Sequence, residues 1–207
     1  MAHPIKKIHL ALLVIVLLVL IWSGISPKSY LTWSLEVGPA TAGIIILAIA
    51  YRKFQFTTLV YIILSVLCIW MFIGGHYTYE RVPLFNWIKE QFHLKRNEYD
   101  RVGHFLKGFA AIAIREVLIR KSCLKPSKWL IFLVLCVVLA LSASYEIAEW
   151  LAAEILGREA HDFLGTQGDI WDSEWDMSLA FLGGVLSLLT LSRLHQYYLN
   201  KKGTHSK

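Results

Sequence analysis

With 207 residues, 56% of them hydrophobic, eight Trp and a mean hydropathy of +0.51, the chain carries more apolar surface than one soluble core of its size could hide, and it reads as a membrane domain. The formal net charge is +6, but Lys and Arg fall in short clusters at the ends of apolar runs and form no single basic face, which argues against nucleic acid as a partner. Three Cys support no disulfide framework: Cys68 and Cys136 lie in apolar runs and Cys123 in a basic loop.

Six apolar segments, at 8–25, 36–51, 56–75, 102–120, 129–151 and 175–193, each approach the ~20 residues that a bilayer requires. The expected fold is an all-α polytopic membrane protein, one domain over 1–207 built as a bundle of about six transmembrane helices. The first segment, Ile8 to Ile25, exceeds a signal-peptide core, and no small-x-small cleavage site precedes Pro27 and Lys28, so it is expected to be retained. With the N-terminus inside, the larger share of the 21 Lys and Arg residues falls on the cytoplasmic side, including Lys6, Lys7, Arg120, Lys121, Lys201 and Lys202. Both termini are then cytoplasmic, and the loops 76–99 and 154–174 are external.

In the 76–99 loop, Pro83 can start a helix in which Leu84, Phe85, Trp87, Ile88, Phe92 and Leu94 alternate with Lys89, Glu90 and Lys95, predicting a short helix lying in the outer interface. In the second loop, Gly165 and Gly168 bracket Thr166 and Gln167 in a tight turn that could press backbone amides towards a ligand.

Three polar clusters fall at the external ends of apolar segments. Ionisable groups at such depths usually face a bundle interior or polar cavity and mark function. Asp100, His104 and Lys107 share a face at the start of the fourth segment, a set suited to acid/base work, phosphate binding or one edge of a metal site. Asn97 as a cap, Asp100 answering the helix dipole and a snorkelling Lys107 form the structural alternative. Glu146 and Glu149 share a face of the fifth segment, where two carboxylates repel unless a cation or donor compensates, or a buried ion-pair network with Arg101 or Lys107 absorbs them. Asp169, Asp172 and Asp176 lie along one face if the sixth helix begins near Asp169. Such oxygen-rich clusters suit hard cations such as Mg, with Glu149, Asp172 and Asp176 as the candidate ligands, though Asp169 or Ser173 could equally cap a helix start. Ala180, Gly183 and Gly184 would let another helix approach closely. His76 and His161 share the external side and read as solvated loop residues, while His195 and His205 read as tail residues. No Walker loop, Rossmann fingerprint, zincin helix or serine elbow is present.

Tyr99-Asp-Arg-Val-Gly-His-Phe105, Tyr145-Glu-Ile-Ala-Glu-Trp150 and Gly165-Thr-Gln-Gly-Asp-Ile-Trp-Asp-Ser-Glu-Trp-Asp-Met177 together resemble the YjdF-like family of small bacterial inner-membrane proteins, over most of the chain. That resemblance implies a polytopic plasma-membrane protein without an established activity. More remotely, Asp100, His104, Phe105, Glu146, Asp176 and Gly183 resemble the motif positions of VanZ-like proteins, with Arg101, Glu149 and Ala180 standing where that pattern has Lys, Gln and Asn. The resemblance implies a role in the cell envelope.

The expected function is therefore an external polar site that binds or processes an envelope lipid headgroup or a lipid-linked phosphate or glycan. Arg101 and Lys107, with Gln167 and Asp169, would hold the substrate. His104, Glu149, Asp172, Asp176, Glu146 and Asp100 would be the chemical groups. The alternatives are a small transporter or proton-coupled carrier titrating Glu146 and Glu149, and a non-catalytic membrane assembly subunit.

Overall fold

Long runs of Leu, Ile and Val leave the backbone no polar partner but itself, and the computed structural model of the chain satisfies it with helices. Residues 5–157 and 166–204 are described, the side chains of Gly203 and Thr204 excepted; Arg158, His161, Gly165 and His205 lie outside the described residues. In chain order the helices are α1 (Lys7–Ser23), α2 (Tyr30–Ala50), α3 (Thr58–Tyr77), α4 (Pro83–Gln91), α5 (Tyr99–Lys107), α6 (Ala111–Lys121), α7 (Lys128–Leu156) and α8 (Asp172–Thr204). Short 3-10 turns at Tyr79–Arg81 and Gly108–Ala110 join α3 to α4 and α5 to α6, and the described residues contain no strand.

Local chemistry explains most boundaries. Ser29 Oγ accepts the Thr32 N–H at 3.2 Å and Ser127 Oγ accepts the Leu130 N–H at 3.3 Å, which caps α2 and α7. The Ser29 cap starts the second helix at Tyr30, earlier than the apolar run beginning at 36 suggests. Thr78, left-handed at φ 58°, ends α3, and Pro83 opens α4. Helices α2, α3, α7 and α8 are long and apolar enough to cross a bilayer, and α1 is a shorter apolar helix of 17 residues. The fourth apolar segment is a composite path, α5 and α6 joined through Gly108–Ala110. Helix α4 leaves Leu84 and Trp87 exposed on its surface, beside Phe92 just beyond its end, as an interfacial helix would.

Polarity is inverted relative to a soluble protein. Ile49 and Leu189 are each 76% exposed, whereas Glu116 and His195 are 0% exposed. An apolar exterior around charged interior groups is the arrangement of a helix bundle in lipid. Val16, Val37, Ala40 and Phe72 hold α1, α2 and α3 together, and Val60, Ala111, Ile112, Val134, Val138 and Leu188 hold α3, α6, α7 and α8.

One contact needs glycine. A Cβ on Gly183 would lie 1.9 Å from the Phe105 carbonyl oxygen, and one on Gly108 2.2 Å from that of Ala180, so α5 and its 3-10 extension meet α8 backbone to backbone. The close approach expected of Gly183 is thus realised against the fourth segment, and it brings the Asp100/His104 face of α5 to Asp176 on α8.

The start of α1 and the end of α8 share one end of the bundle, which a satisfied polar network closes. Glu116 accepts the Thr57 N–H at 3.0 Å, the Thr57 hydroxyl at 2.8 Å and Arg120 Nη1 at 2.7 Å. Arg115 donates to His195 Nδ1 at 2.7 Å; since a guanidinium only donates, Nε2 carries the His195 proton and donates it to Glu116 at 3.0 Å. Lys202 reaches back to the Gln55 and Phe56 carbonyls. His195, a tail residue by sequence position, is therefore a fully buried member of this network.

Candidate functional site at the opposite end

The other end of the bundle gathers the acidic clusters. Asn97 Oδ1 accepts the Tyr99 N–H at 3.0 Å in a turn just ahead of α5, whose N-cap is Glu98 with no side-chain cap bond, so the expected Asn97 cap is replaced by a turn one residue earlier. One turn into α5, His104 is 1% exposed. Its Nε2 lies 3.6 Å from Asp100 Oδ1, 4.0 Å from Asp176 Oδ2 and 3.0 Å from Lys107 Nζ. An ammonium only donates, so Nε2 accepts from Lys107 and the ring proton sits on Nδ1. That atom has no hydrogen-bond partner and faces Glu146 Oε1, likewise unpartnered, at 3.7 Å. Asp176 Oδ1 and the hydroxyl of Ser142, one turn before Glu146, are also buried without partners. Lys107 Nζ stands 4.1 Å from the ring centroid of Tyr145 and 6.0 Å from that of Tyr79.

Asp100, His104, Lys107, Glu146 and Asp176 thus meet, drawn from α5, α7 and α8. Glu149 follows one turn after Glu146 and is 7% exposed. Among the described residues, the group whose ligand atoms lie within 4.8 Å of one another is Asp100, His104 and Asp176. Of the oxygen ligands expected from sequence, Glu149, Asp172 and Asp176, only Asp176 belongs to it, joined by Asp100 and His104 of the face read as one edge of a metal site.

The remaining expected residues form a clamp above this cluster. Asp172 pairs with Arg96, both buried. Arg101 pairs with Asp169 and, at 3.5 Å, with Glu98, its guanidinium 5.4 Å from the Trp175 ring centroid. Helix α8 begins at Asp172, so Asp169 precedes it and does not share the face of Asp172 and Asp176. Instead Asp169 accepts the Trp171 N–H at 3.0 Å. That bond first, and Arg101 with it, holds the Asp169 carboxyl below the usual aspartate value. The tie to Arg101 is accordingly complete above that ordinary value and is lost only as pH falls through the depressed one.

Gln167 and Gly168, both at positive φ (46° and 86°), make a turn closed by Asp169 N–H on the Thr166 carbonyl at 2.8 Å. The turn aims the Gln167 side chain at the Asn97 backbone, accepting its N–H at 2.8 Å and donating to its carbonyl at 2.9 Å. Asn97 is 0% exposed, so Gln167→Ala is expected to strand a buried N–H and carbonyl and lower stability by about 1–3 kcal/mol, read as a lower unfolding midpoint in detergent. His76 is a structural residue: its ring bonds the Ser23 carbonyl at 3.0 Å and stacks on Trp22.

Sequence reasoning passed over Glu36, which is 4% exposed and accepts the Tyr145 hydroxyl at 3.2 Å, and Arg96. The signal for Glu36 was present, a lone acid at the edge of an apolar segment. For Arg96 there was none, since Lys95 and Arg96 look alike in a basic loop.

A helical bundle with an apolar exterior and a buried acidic site at one end defines a polytopic helical membrane protein. The profile of the family described as Predicted membrane protein (DUF2238) matches residues 8–197. A curated protein of Escherichia coli (strain K12), Inner membrane protein YjdF, is 42% identical over 187 residues, covering 90% of each chain. The chain belongs to this membrane protein family, as its motif resemblance implied. No solved structure matches it.

Proposed function

We propose that the chain is a multi-pass inner-membrane protein, crossing six times with both termini cytoplasmic, whose site binds or processes an envelope lipid headgroup or a lipid-linked phosphate or glycan at the external face. The location draws on the name of the Escherichia coli relative and on the Lys and Arg bias of the loops. One observation carries the site reading. The network around Glu116 is bonded throughout, whereas the far cluster holds buried His104 Nδ1, Glu146 Oε1 and Asp176 Oδ1 with no partner. Structural glue is satisfied glue, and orphaned buried polar atoms are costly unless something else meets them. Exposed Trp150, Trp171 and Trp175 near this cluster support a depth close to the headgroups, where interfacial Trp collect. Lys107 offers a cation to a phosphate, the carboxylates offer acceptors to hydroxyls, and His104 between Lys107 and Glu146 is placed to pass a proton. Arg101, Asp169 and Gln167 form the wall over it.

The test is lipid retention by purified protein, read by native mass spectrometry. Wild type is expected to keep a headgroup class that a folded Asp176→Asn, His104→Ala double variant loses, and equal retention by both would overturn the reading. A proton-coupled carrier is the second reading, favoured by the buried Glu116, His195 and Arg115 at the opposite end. It predicts pH-gradient-driven uptake into proteoliposomes that Glu146→Gln abolishes. Ala111, Ile112, Val138 and Leu188 form an apolar layer between the two polar regions, which weighs against a continuous polar route.

A further inference from the structure

We propose that Asp100, His104 through Nε2, and Asp176 form a binding site for one divalent cation, with Glu146 as the outer carboxylate that orients the imidazole and Lys107 as a built-in competitor for the same position. Three geometric facts support it. The ligand atoms of the three residues lie within 4.8 Å of one another, and the two separations from Nε2, 3.6 and 4.0 Å, suit donors placed about 2.0–2.3 Å around a common ion. The second nitrogen of the ring faces a carboxylate, Glu146 Oε1 at 3.7 Å, both atoms being buried and unpartnered. Histidines that ligate metals nearly always give their other N–H to such a group, which fixes the tautomer that leaves the ligating nitrogen free. Finally, the group now on Nε2 is itself a cation, Lys107 Nζ at 3.0 Å, and it has the faces of Tyr145 and Tyr79 beside it to receive it when displaced.

The alternative is that Lys107 is the permanent counter-ion. Against it, Asp176 is 2% exposed with Oδ1 still unbonded, and Glu36, Glu146 and Glu149 lie buried around the same lysine, while Arg96 and Arg101 are engaged by Asp172 and Asp169. One imidazole with two carboxylates, and positions left open, suits Mn2+ or Zn2+ better than Mg2+, which prefers oxygen and water. The site shares Asp176 with the carboxylate set expected from sequence and replaces Glu149 and Asp172 with Asp100 and His104. It rests on the headgroup reading only for its consequence, that the ion would join a phosphate to an acidic pocket.

The experiment is binding of Mn2+ alone, and separately Zn2+ alone, to EDTA-treated full-length protein in detergent without added lipid. Mn2+ is followed by loss of its free-ion electron paramagnetic resonance signal and Zn2+ by calorimetry. At least one ion is expected to bind at one per chain. Binding is lost in Asp176→Asn and His104→Ala, weakened about 10–100-fold in Glu146→Gln, and tightened in Lys107→Met. Circular dichroism confirms that each variant is folded, and Lys107→Met keeps the test decisive should an acidic variant unfold. No saturable binding of either ion to wild type and Lys107→Met, or binding unchanged in Asp176→Asn and His104→Ala, would overturn the proposal. The lipid-retention assay reads out separately, so lipid retained without metal binding leaves the headgroup reading standing alone.

Discussion

Glu116→Ala is expected to cost about 3–5 kcal/mol of stability, because it deletes the acceptor on which Thr57, Arg120 and His195 converge, leaving the Thr57 N–H and the buried His195 N–H without an acceptor and the partly exposed Arg120 guanidinium without its counter-ion. Glu116 is 0% exposed, so the groups bonded to it are not reached by bulk water. The measurement is the unfolding midpoint of detergent-purified protein by circular dichroism, with Asp176→Asn run beside it. Asp176→Asn should stay within about 1 kcal/mol of wild type or gain stability, since it removes a buried acidic group whose Oδ1 is already without a partner. The pair thus compares a closed network with an open site. If Asp176→Asn is destabilised as much as Glu116→Ala, the far cluster is structural glue and the chain becomes an assembly subunit by the same reasoning.

Gly183→Ala is the second large expected effect. Its Cβ would fall 1.9 Å from the Phe105 carbonyl oxygen, a rigid backbone group, so no side-chain rotation relieves the overlap. Overpacking costs about 1–3 kcal/mol where side chains can shift, and this clash should lie at or above the top of that range. The forced separation of α5 and α8 would also draw Asp176 away from His104, so any cation or lipid binding should fall along with stability. Gly184→Ala is the internal control, because a Cβ there meets Leu135 at 3.3 Å, the end of a flexible side chain. Equal midpoints for wild type and Gly183→Ala would mean that the two backbones do not meet as described.

Much of the fold was readable because each signal is local. Apolar runs mark the helices, Ser29 and Ser127 cap two of them, and Pro83 starts the interfacial one. The acids at helix ends were readable as a site for a related reason: an ionisable group in an apolar run is expensive wherever its helix packs. Pairings were not readable in this way. Asp172 and Asp176 share a helix face four residues apart, yet one meets Arg96 and the other His104. Which partner each meets depends on how α8 is rotated against α5 and on how the segment before Tyr99 folds back.

By itself the sequence determined that this is a polytopic membrane protein with three acidic clusters at the ends of its apolar segments, since hydropathy, charge placement and helix period act residue by residue. Tertiary structure alone decided that Glu36 joins the site, that His195 is interior, and that His104 sits between Lys107 and Glu146. Those facts depend on long-range packing between helices, of the kind seen where Gly108 and Gly183 bring two backbones together, which no window of neighbouring residues encodes.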